Sequence, residues 1–462
     1  MRRDLLLPLI IACALFMENM DSTVIATSLP VIAADLGVNP ISLKLALTAY
    51  LVSLAVFIPI SGWMADRFGS KTVFRLAIGV FMLGSLLCGL SSSLGGFVAA
   101  RFLQGLGGAM MVPVGRLVLL KSVPKKDLVR VLSYLTIPAL LGPVIGPPLG
   151  GAISTYFHWR WIFFINLPIG LLGIYLATRH VPQITEDRVA PLDAAGFLLS
   201  GIGLSAMTLG LATTGEHLLS RTASLGCLAA GVAALAAYLW HARRCAHPLI
   251  DFRFLRLATY RTGVLGGALF RVGVGAMPFL LPLMLQLGFG FSALASGMLT
   301  CTSALAAMFM KTLAVAILRR FGFRAVLTAN VVVAAGTIAG YGLFTATTPW
   351  GWMVALLLAG GFFRSLQFTA LNALSYADVA RADMSPASSL ANVTQQLALS
   401  LGVTLAAWVL ESTAALRGHA QVEASDFSIA FVVVALVSAS SFLFNIRLAR
   451  NAGAEVAGRD GA

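Results

Sequence analysis

Residues 8–30 read PLIIACALFMENMDSTVIATSLP, an apolar segment that carries two acids, Glu18 and Asp21, near its middle. A helix that crosses a bilayer needs about 20 residues at ~1.5 Å each, and this segment is long enough. A carboxylate at the centre of such a helix costs roughly 2.5–3.5 kcal/mol to insert. We therefore expect the acids to face a protein interior or a water-filled path. Asp21 or Glu18 is then a candidate proton carrier; the alternative is a structural carboxylate held by hydrogen bonds or an ion pair.

The composition of the whole chain is that of a polytopic membrane protein. Of its 462 residues, 58% are hydrophobic and 11% are charged, with a mean hydropathy of +0.90. A soluble protein usually carries about a quarter charged residues. The two acids argue against a cleaved signal peptide in the first segment, and no small-residue cleavage site follows it. The five cysteines and six histidines show no metal-binding spacing, so we expect no metal site.

Hydropathy predicts fourteen membrane-spanning helices in an all-α fold. They lie near residues 8–30, 43–65, 73–91, 95–119, 131–153, 161–178, 193–213, 222–241, 262–285, 294–318, 325–345, 351–374, 389–411 and 428–447. An even number places both termini on one side, and the basic residues indicate which side. Of the 32 lysines and arginines, 23 lie in the termini and loops of the N-terminal side. The opposite side carries Lys44, Arg160, Arg221 and Arg417.

This distribution predicts cytoplasmic termini in a bacterial inner membrane, by the positive-inside rule. The net charge of +14 then reflects topology and not nucleic-acid binding. Two polar connections, near 179–192 and 242–261, divide the chain. The predicted parts are an N-terminal six-helix bundle (1–178), a linker (179–261) with an inserted helix pair at about 193–213 and 222–241, a C-terminal six-helix bundle (262–447) and a cytoplasmic tail (448–462).

The two halves share a weak repeat. The sequence DRFGSK at 66–71 follows the second span, and RRFGFR at 319–324 follows the second span of the second half. Repeated halves are a common way to build a transporter with its site between them.

Three glycine-rich blocks mark the first half: GWMADRFGSK at 62–71, RFLQGLGGA at 101–109 and GPVIGPPLGG at 142–151. Glycine permits a tight turn in the first block and close helix packing in the other two. In this order the blocks resemble the signature motifs of the major facilitator superfamily. The residues that match its conformational motifs are Gly62, Asp66, Arg67, Gly69, Lys71, Gly142, Gly146, Pro147, Gly150 and Gly151.

Further segments resemble the fourteen-helix drug–proton antiporters of that superfamily. Residues 21–30 and 159–170 are similar to their markers, and residues 107–116 favour the MdtD-like branch. The resemblance implies two six-helix bundles plus two extra helices, and export of small molecules or drugs in exchange for protons by alternating access. Two departures leave the substrate open: Ala26 stands where the motif usually has Asn, and Glu18 is an additional acid.

Helix geometry gives an independent reason to pair Asp21 with Arg101. Asp21 lies ~20 Å and Arg101 ~21 Å above the cytoplasmic face of a ~30 Å core. An arginine at that level holds Asp21 ionised and can exchange partners when a proton or substrate arrives. The resemblance implies the same role for Arg101; the alternative is a permanent ion pair that only fixes packing.

The spans of the second half hold Arg271, Lys311 and Arg364, with no acid except Glu411. Buried cations without matching acids require an anion, from elsewhere in the chain or from the substrate. The predicted substrate-cavity residues are Arg271, Arg364, Lys311, Gln104 and Asn166. Lys311 lies only ~5 Å from the cytoplasmic face and can instead extend to it. Single amides in helix bundles more often join helices.

No enzyme is indicated. The chain lacks a phosphate-binding loop of the form GxxxxGK followed by Ser or Thr, and it shows no nucleophile–base arrangement. We expect the proton as coupling ion, no cofactor, and a monomer in the lipid bilayer; a periplasmic adaptor stays open. The substrate is either a drug-like lipophilic cation, or a small organic anion such as a di- or tricarboxylate or its metal chelate. A receptor on a transporter scaffold is a third hypothesis.

Overall fold

The computed structural model of the protein describes residues 3–122, 128–185, 191–213, 220–245, 248–380, 383–419 and 422–456. Over these ranges the secondary structure is helical, as predicted. The long helices are α1 (Leu7–Leu36), α2 (Pro40–Phe68), α3 (Ser70–Leu90), α4 (Leu94–Ser122), α5 (Leu128–Tyr156), α6 (Trp161–His180), α7 (Ala194–Thr213), α8 (Arg221–Ala242), α9 (Ala258–Gly288), α10 (Ala293–Phe321), α11 (Phe323–Tyr341), α12 (Trp350–Ser375), α13 (Met384–Arg417) and α14 (Ala424–Asn445).

Each of the fourteen predicted spans falls on one of these helices. In the described part of the chain, thirteen helices are long and apolar enough to cross a membrane. The remaining predicted span, near 131–153, falls on α5, where residues 128–140 are described by their backbone alone. The part of the predicted tail beyond residue 456 and linker residues 186–190 lie outside the described residues.

The first helix is longer than predicted. The sequence places its end at Pro30, but α1 continues to Leu36 through a 3₁₀ turn at Ile25–Ser28. Pro30 falls in the first turn of the helical segment after that 3₁₀ turn, where its missing N–H costs no hydrogen bond. Gly37, at a φ of +64°, then ends the helix with its N–H on the last carbonyls.

The chain forms two compact units, residues Met1–Leu249 and Ile250–Ala462. Each has its own apolar core. Phe74, Phe81 and Met111 are fully buried in the first, and Phe270 and Leu327 in the second. The inserted helix pair, α7 and α8, falls in the first unit. The predicted division into bundle, linker, bundle and tail stays a prediction.

Within each unit, the first and fifth of its six bundle helices meet on glycine. A Cβ atom on Gly150 of α5 would lie 2.3 Å from the carbonyl oxygen of Val24 in α1. In the second unit, a Cβ on Gly402 of α13 would lie 2.1 Å from the carbonyl oxygen of Val272 in α9. Only a residue without a side chain permits such an approach. The weak sequence repeat is thus accompanied by a matching helix contact in the two units.

The repeated turns also share a backbone conformation. Gly69, between α2 and α3, has a φ of +87°, and Gly322, between α10 and α11, has a φ of +77°. These values favour glycine, which lacks the Cβ that would clash. In the first unit the segment after α6 binds this turn. Gln183 Nε2 donates to the Phe68 carbonyl at 3.2 Å and to Thr72 Oγ1 at 3.0 Å.

The inserted pair is fixed at one end by Asp193, the residue before α7. Its Oδ1 accepts the Gly196 N–H at 2.8 Å and lies 2.7 Å from His241 Nε2. Its Oδ2 accepts the Leu249 N–H at 3.3 Å. Burial raises the pKa of Asp193, but these hydrogen bonds outweigh it and hold the pKa below its usual value.

Candidate proton-coupling site

Asp21 lies in the middle of α1 with its side chain completely buried in the first unit. Arg101 of α4 donates from Nη1 to Asp21 Oδ2 at 2.6 Å, and its side chain is 1% exposed. The two residues that helix geometry places at one depth therefore form a buried ion pair. Such a pair has lost its hydration, so its mutual attraction and further hydrogen bonds must compensate for that loss.

Two amides supply those further hydrogen bonds. Gln104, one turn along α4 from Arg101, donates from Nε2 to Asp21 Oδ1 at 2.9 Å. Asn166 of α6 donates from Nδ2 to the same oxygen at 2.8 Å. Both amides also donate to Ser85 Oγ of α3, at 2.7 and 2.8 Å. The carboxylate of α1 is thus bound by side chains from two other helices, and a third helix supplies the shared acceptor.

Tyr50 of α2 brings the second acid of α1 close to this cluster. The Arg101 guanidinium carbon lies 4.4 Å from the centre of the Tyr50 ring, within cation–π distance. A Cβ on Gly108 of α4 would lie 3.0 Å from Tyr50 Oη and 3.6 Å from Glu18 Cγ. Arg101 and Glu18 are therefore both neighbours of Tyr50.

The glycines of the third block fix the backbone that carries Asp21. A Cβ on Gly142 of α5 would lie 2.9 Å from the Met20 nitrogen, and one on Gly146 would lie 2.1 Å from Thr23 Oγ1. Thr23 Oγ1 also donates to the Gly142 carbonyl at 3.4 Å. These contacts lie on both sides of residue 21. The α5 motif therefore holds α1 at the level of the ion pair.

The arrangement can couple protonation to a change in the position of Arg101. All three neighbours of Asp21 donate hydrogen bonds to it, which suits an ionised carboxylate. A proton on Asp21 would leave the Arg101 charge among neutral groups, where a buried cation is unstable. Arg101 would then move toward another acceptor or toward water.

Among the described residues of the second unit, Arg271 of α9 is the most buried cation. Its side chain donates from Nη2 to Asn372 Oδ1 at 2.6 Å and from Nη1 to the Gly263 carbonyl at 3.2 Å. The guanidinium carbon lies 5.0 Å from the centre of the Phe368 ring. Its Nε–H is buried without an acceptor, and no carboxylate of the described residues lies within ion-pair distance. All its partners in the described structure are therefore neutral.

Arg364 and Lys311 differ from Arg271. Arg364 of α12 is half-buried and donates from Nε to the Gly360 carbonyl at 3.0 Å and from Nη2 to Ser303 Oγ. Lys311 of α10 is exposed. A role in a substrate cavity stays a prediction for all three cations, and the exposure of Lys311 agrees with the alternative that it extends to the membrane face.

The structure brings four of the predicted site residues, Asp21, Arg101, Gln104 and Asn166, into one hydrogen-bonded cluster. Gln104 and Asn166, predicted as substrate-cavity residues, are fully buried and bind the Asp21 carboxylate. Their role in a substrate cavity stays a prediction. Sequence reasoning missed Ser85. A serine in an apolar span gives no signal, because hydroxyls in such helices commonly bond their own backbone.

The turn motif lies apart from this cluster, at the α2–α3 connection. Gly62 and Arg67 are exposed, and a Cβ on Gly62 would meet no atom within 4 Å. Gly69 is buried against Gln183. The conformational role that the resemblance implies for this motif stays a prediction.

Comparison with known proteins decides the family. The family model of the Major Facilitator Superfamily matches residues 11–403. The chain belongs to this superfamily. Among curated proteins it is 38% identical, over 406 residues, to one from Serratia proteamaculans that carries the name multidrug resistance protein MdtD. That match covers 88% of this chain and 85% of the relative. A relative of the same name from Salmonella typhimurium is 38% identical over 405 residues, covering 87% and 85%.

Solved structures of other superfamily members share the fold. A POT family transporter in complex with 5-aminolevulinic acid has a TM-score of 0.70 at 15% identity, covering 94% of both chains. The human organic anion transporter MFSD10 has a TM-score of 0.61 at 14% identity, covering 96% of this chain and 99% of the other. The predicted superfamily, MdtD-like branch and all-helical membrane fold are confirmed. The protein is a small-molecule transporter and not an enzyme.

Proposed function

We propose that this transporter exports small, drug-like molecules across the bacterial inner membrane in exchange for protons, with both termini in the cytoplasm. The observation that supports it best is the Asp21–Arg101 pair, buried in a membrane-spanning helix and surrounded by donors. A carboxylate at that depth is costly to insert, and such residues commonly serve a function such as proton transfer. The antiporter blocks and the name of the relatives agree with export.

Asp21 is the proton carrier in this mechanism. In the ionised state it binds Arg101 at 2.6 Å. A proton from the periplasmic side neutralises it and weakens that bond, so Arg101 shifts. Glu18, which like Arg101 is a neighbour of Tyr50, provides a second carboxylate toward which the guanidinium can turn. The shift favours the inward-open state, which captures substrate and releases the proton to the cytoplasm.

The experiment is transport into inverted membrane vesicles under an imposed pH gradient. The probes are a fluorescent lipophilic cation and a labelled tricarboxylate, each measured separately. We expect Asp21→Asn to abolish gradient-driven accumulation, because an amide cannot carry the proton. Asp35→Asn is the matched control, since it removes a carboxylate from the outer end of the same helix, where the side chain is 35% exposed. Full gradient-driven uptake by Asp21→Asn would remove the proton role from this residue.

Export of small organic anions is a second candidate function, and Arg271 is the observation that favours it. A buried guanidinium whose described partners are all neutral can bind a carboxylate ligand. Neutralising Arg271 and Arg364 together should abolish transport of the tricarboxylate. Transport of the lipophilic cation should persist or increase. Arg253→Gln is the control, because Arg253 is exposed and pairs with Asp251 and Asp383. Unchanged tricarboxylate transport in the double variant would exclude an anion site at these arginines.

A further inference from the structure

A group of potential metal ligands lies at one end of the inserted helix pair, apart from the Asp21 cluster. The ligand atoms of Asp193, His241 and Cys245 all lie within 4.8 Å of one another. Within the part of the chain that the structure describes, this is the one such group of three. Asp193 directly precedes α7, His241 lies in the last turn of α8, and Cys245 lies three residues after that helix. Asp193 and His241 are 48 positions apart in the sequence.

Local hydrogen bonds help to place the three side chains. His241 and Cys245 lie one turn apart, because the Cys245 N–H donates to the His241 carbonyl at 3.0 Å. The Asp193 carboxylate is oriented by the backbone N–H groups of Gly196 and Leu249. Hydrogen bonds of this kind orient the ligands of known metal sites. Among the groups that the structure describes, Asp193 Oδ2 accepts only the Leu249 N–H and retains a lone pair, while Oδ1 also lies 2.7 Å from His241 Nε2.

We propose that Asp193, His241 and Cys245 bind a divalent transition-metal ion, with Zn²⁺ the best match. Nitrogen, sulfur and carboxylate oxygen are the donors that Zn²⁺ takes in proteins, usually in a tetrahedron. Three protein ligands leave the fourth position for water. Mg²⁺ and Ca²⁺ prefer oxygen alone, so the thiolate and imidazole disfavour them. Sequence spacing did not show this site, because Asp193 lies 48 positions before His241.

Ion binding would join the start of α7, the end of α8 and the segment that follows α8. The positive-inside rule puts this end of the pair on the cytoplasmic side. Asp193 is 5% exposed and His241 27% exposed at the side chain, so the site combines a fixed carboxylate with an accessible imidazole. It shares no residue with the Asp21 cluster or with the arginines of the second unit, and it is independent of the transported substrate.

The test is zinc binding by the full-length, tag-free protein in detergent, measured by equilibrium dialysis and elemental analysis. We expect the wild type to retain one Zn²⁺ per chain at micromolar free zinc. Cys245→Ser and His241→Gln should weaken binding by more than about tenfold, since even loss of a residue that only orients a ligand weakens binding by that much. Cys227→Ala, which lies on α8 and is partly buried like Cys245, should bind as the wild type does.

Asp193 requires a milder substitution because its carboxylate also begins α7. Asp193→Asn keeps an oxygen for the Gly196 N–H and removes the charge, so it should fold and bind zinc more weakly. Cobalt provides a second readout. Co²⁺ bound to wild type should show a thiolate charge-transfer absorption that Cys245→Ser lacks and Cys227→Ala retains. Absence of zinc binding by the wild type, or equal binding by Cys245→Ser, would overturn the site.

Discussion

The stability of the buried Asp21–Arg101 pair can be predicted from its contacts. Asp21→Asn keeps the shape of the side chain, but an amide offers one donor group where all three neighbours already donate. Whichever way the amide turns, one donor faces another donor. Arg101 keeps its charge without a counter-ion. Removing one partner of a buried ion pair costs about 3–5 kcal/mol, and we expect a loss of that size.

A double-mutant cycle separates the pair from its surroundings. Arg101→Gln alone should destabilise the unit similarly, because it leaves Asp21 charged and buried. The double variant removes both charges of the pair, so its loss of unfolding free energy should be smaller than the sum of the single losses by about 2–3 kcal/mol. The free energy of unfolding is measured by tryptophan fluorescence in mixed detergent micelles.

The matched control is a cycle on Asp35 and Arg160, which also form an ion pair, at 2.8 Å. Their side chains are 35% and 28% exposed, so their coupling should be about 0–1 kcal/mol. If the buried pair couples no more strongly than this exposed pair, water must solvate Asp21 and Arg101, and the reasoning about an uncompensated charge is wrong.

Three further predictions concern packing and hydrogen bonds. Gly150→Ala should destabilise the protein by about 1–3 kcal/mol in the same unfolding assay, because its Cβ would meet a backbone carbonyl at 2.3 Å. The control Gly79→Ala, whose Cβ would meet open space, should be neutral. Equal effects of the two substitutions would contradict the close contact at Gly150. Gln183→Ala should speed tryptic cleavage of the α2–α3 turn, since it removes three hydrogen bonds to that turn, and an unchanged rate would mean that the contact does not order it. Asn372→Leu should lower the free energy of unfolding by about 1.5–3 kcal/mol, because it removes the acceptor of Arg271 Nη2. Adding Arg271→Met to this variant should restore most of that loss. An unchanged free energy of unfolding in Asn372→Leu would show that water replaces the acceptor.

The helices could be predicted from the sequence because long apolar segments alternate with polar turns. Their ends could not. The predicted span 389–411 is part of a helix that runs from Met384 to Arg417, because polar residues at both ends continue the helix beyond the apolar segment. Pro30 indicated an end to the first helix, but a proline in the first turn of a new helical segment lets the chain continue.

The ion pair could also be predicted, since depth follows directly from the number of residues along a helix. The amides beside it could not be assigned, because the direction of Gln104 depends on how α4 is rotated against α1 and α3. Asn166 lies 145 positions from Asp21 in sequence, and no local pattern connects them. The proposed metal site gave no spacing signal, because Asp193 lies 48 positions before His241.

The glycine contacts between α1 and α5 limit how the carboxylate can respond to a proton. With Gly142, Gly146 and Gly150 each against the α1 backbone or its hydroxyls, a shift of one helix alone would break these close contacts. In the proposed mechanism, proton binding and release by Asp21 then require only torsion-angle changes in one short side chain. Larger displacements during the transport cycle must carry α1 and α5 together, as one rigid body.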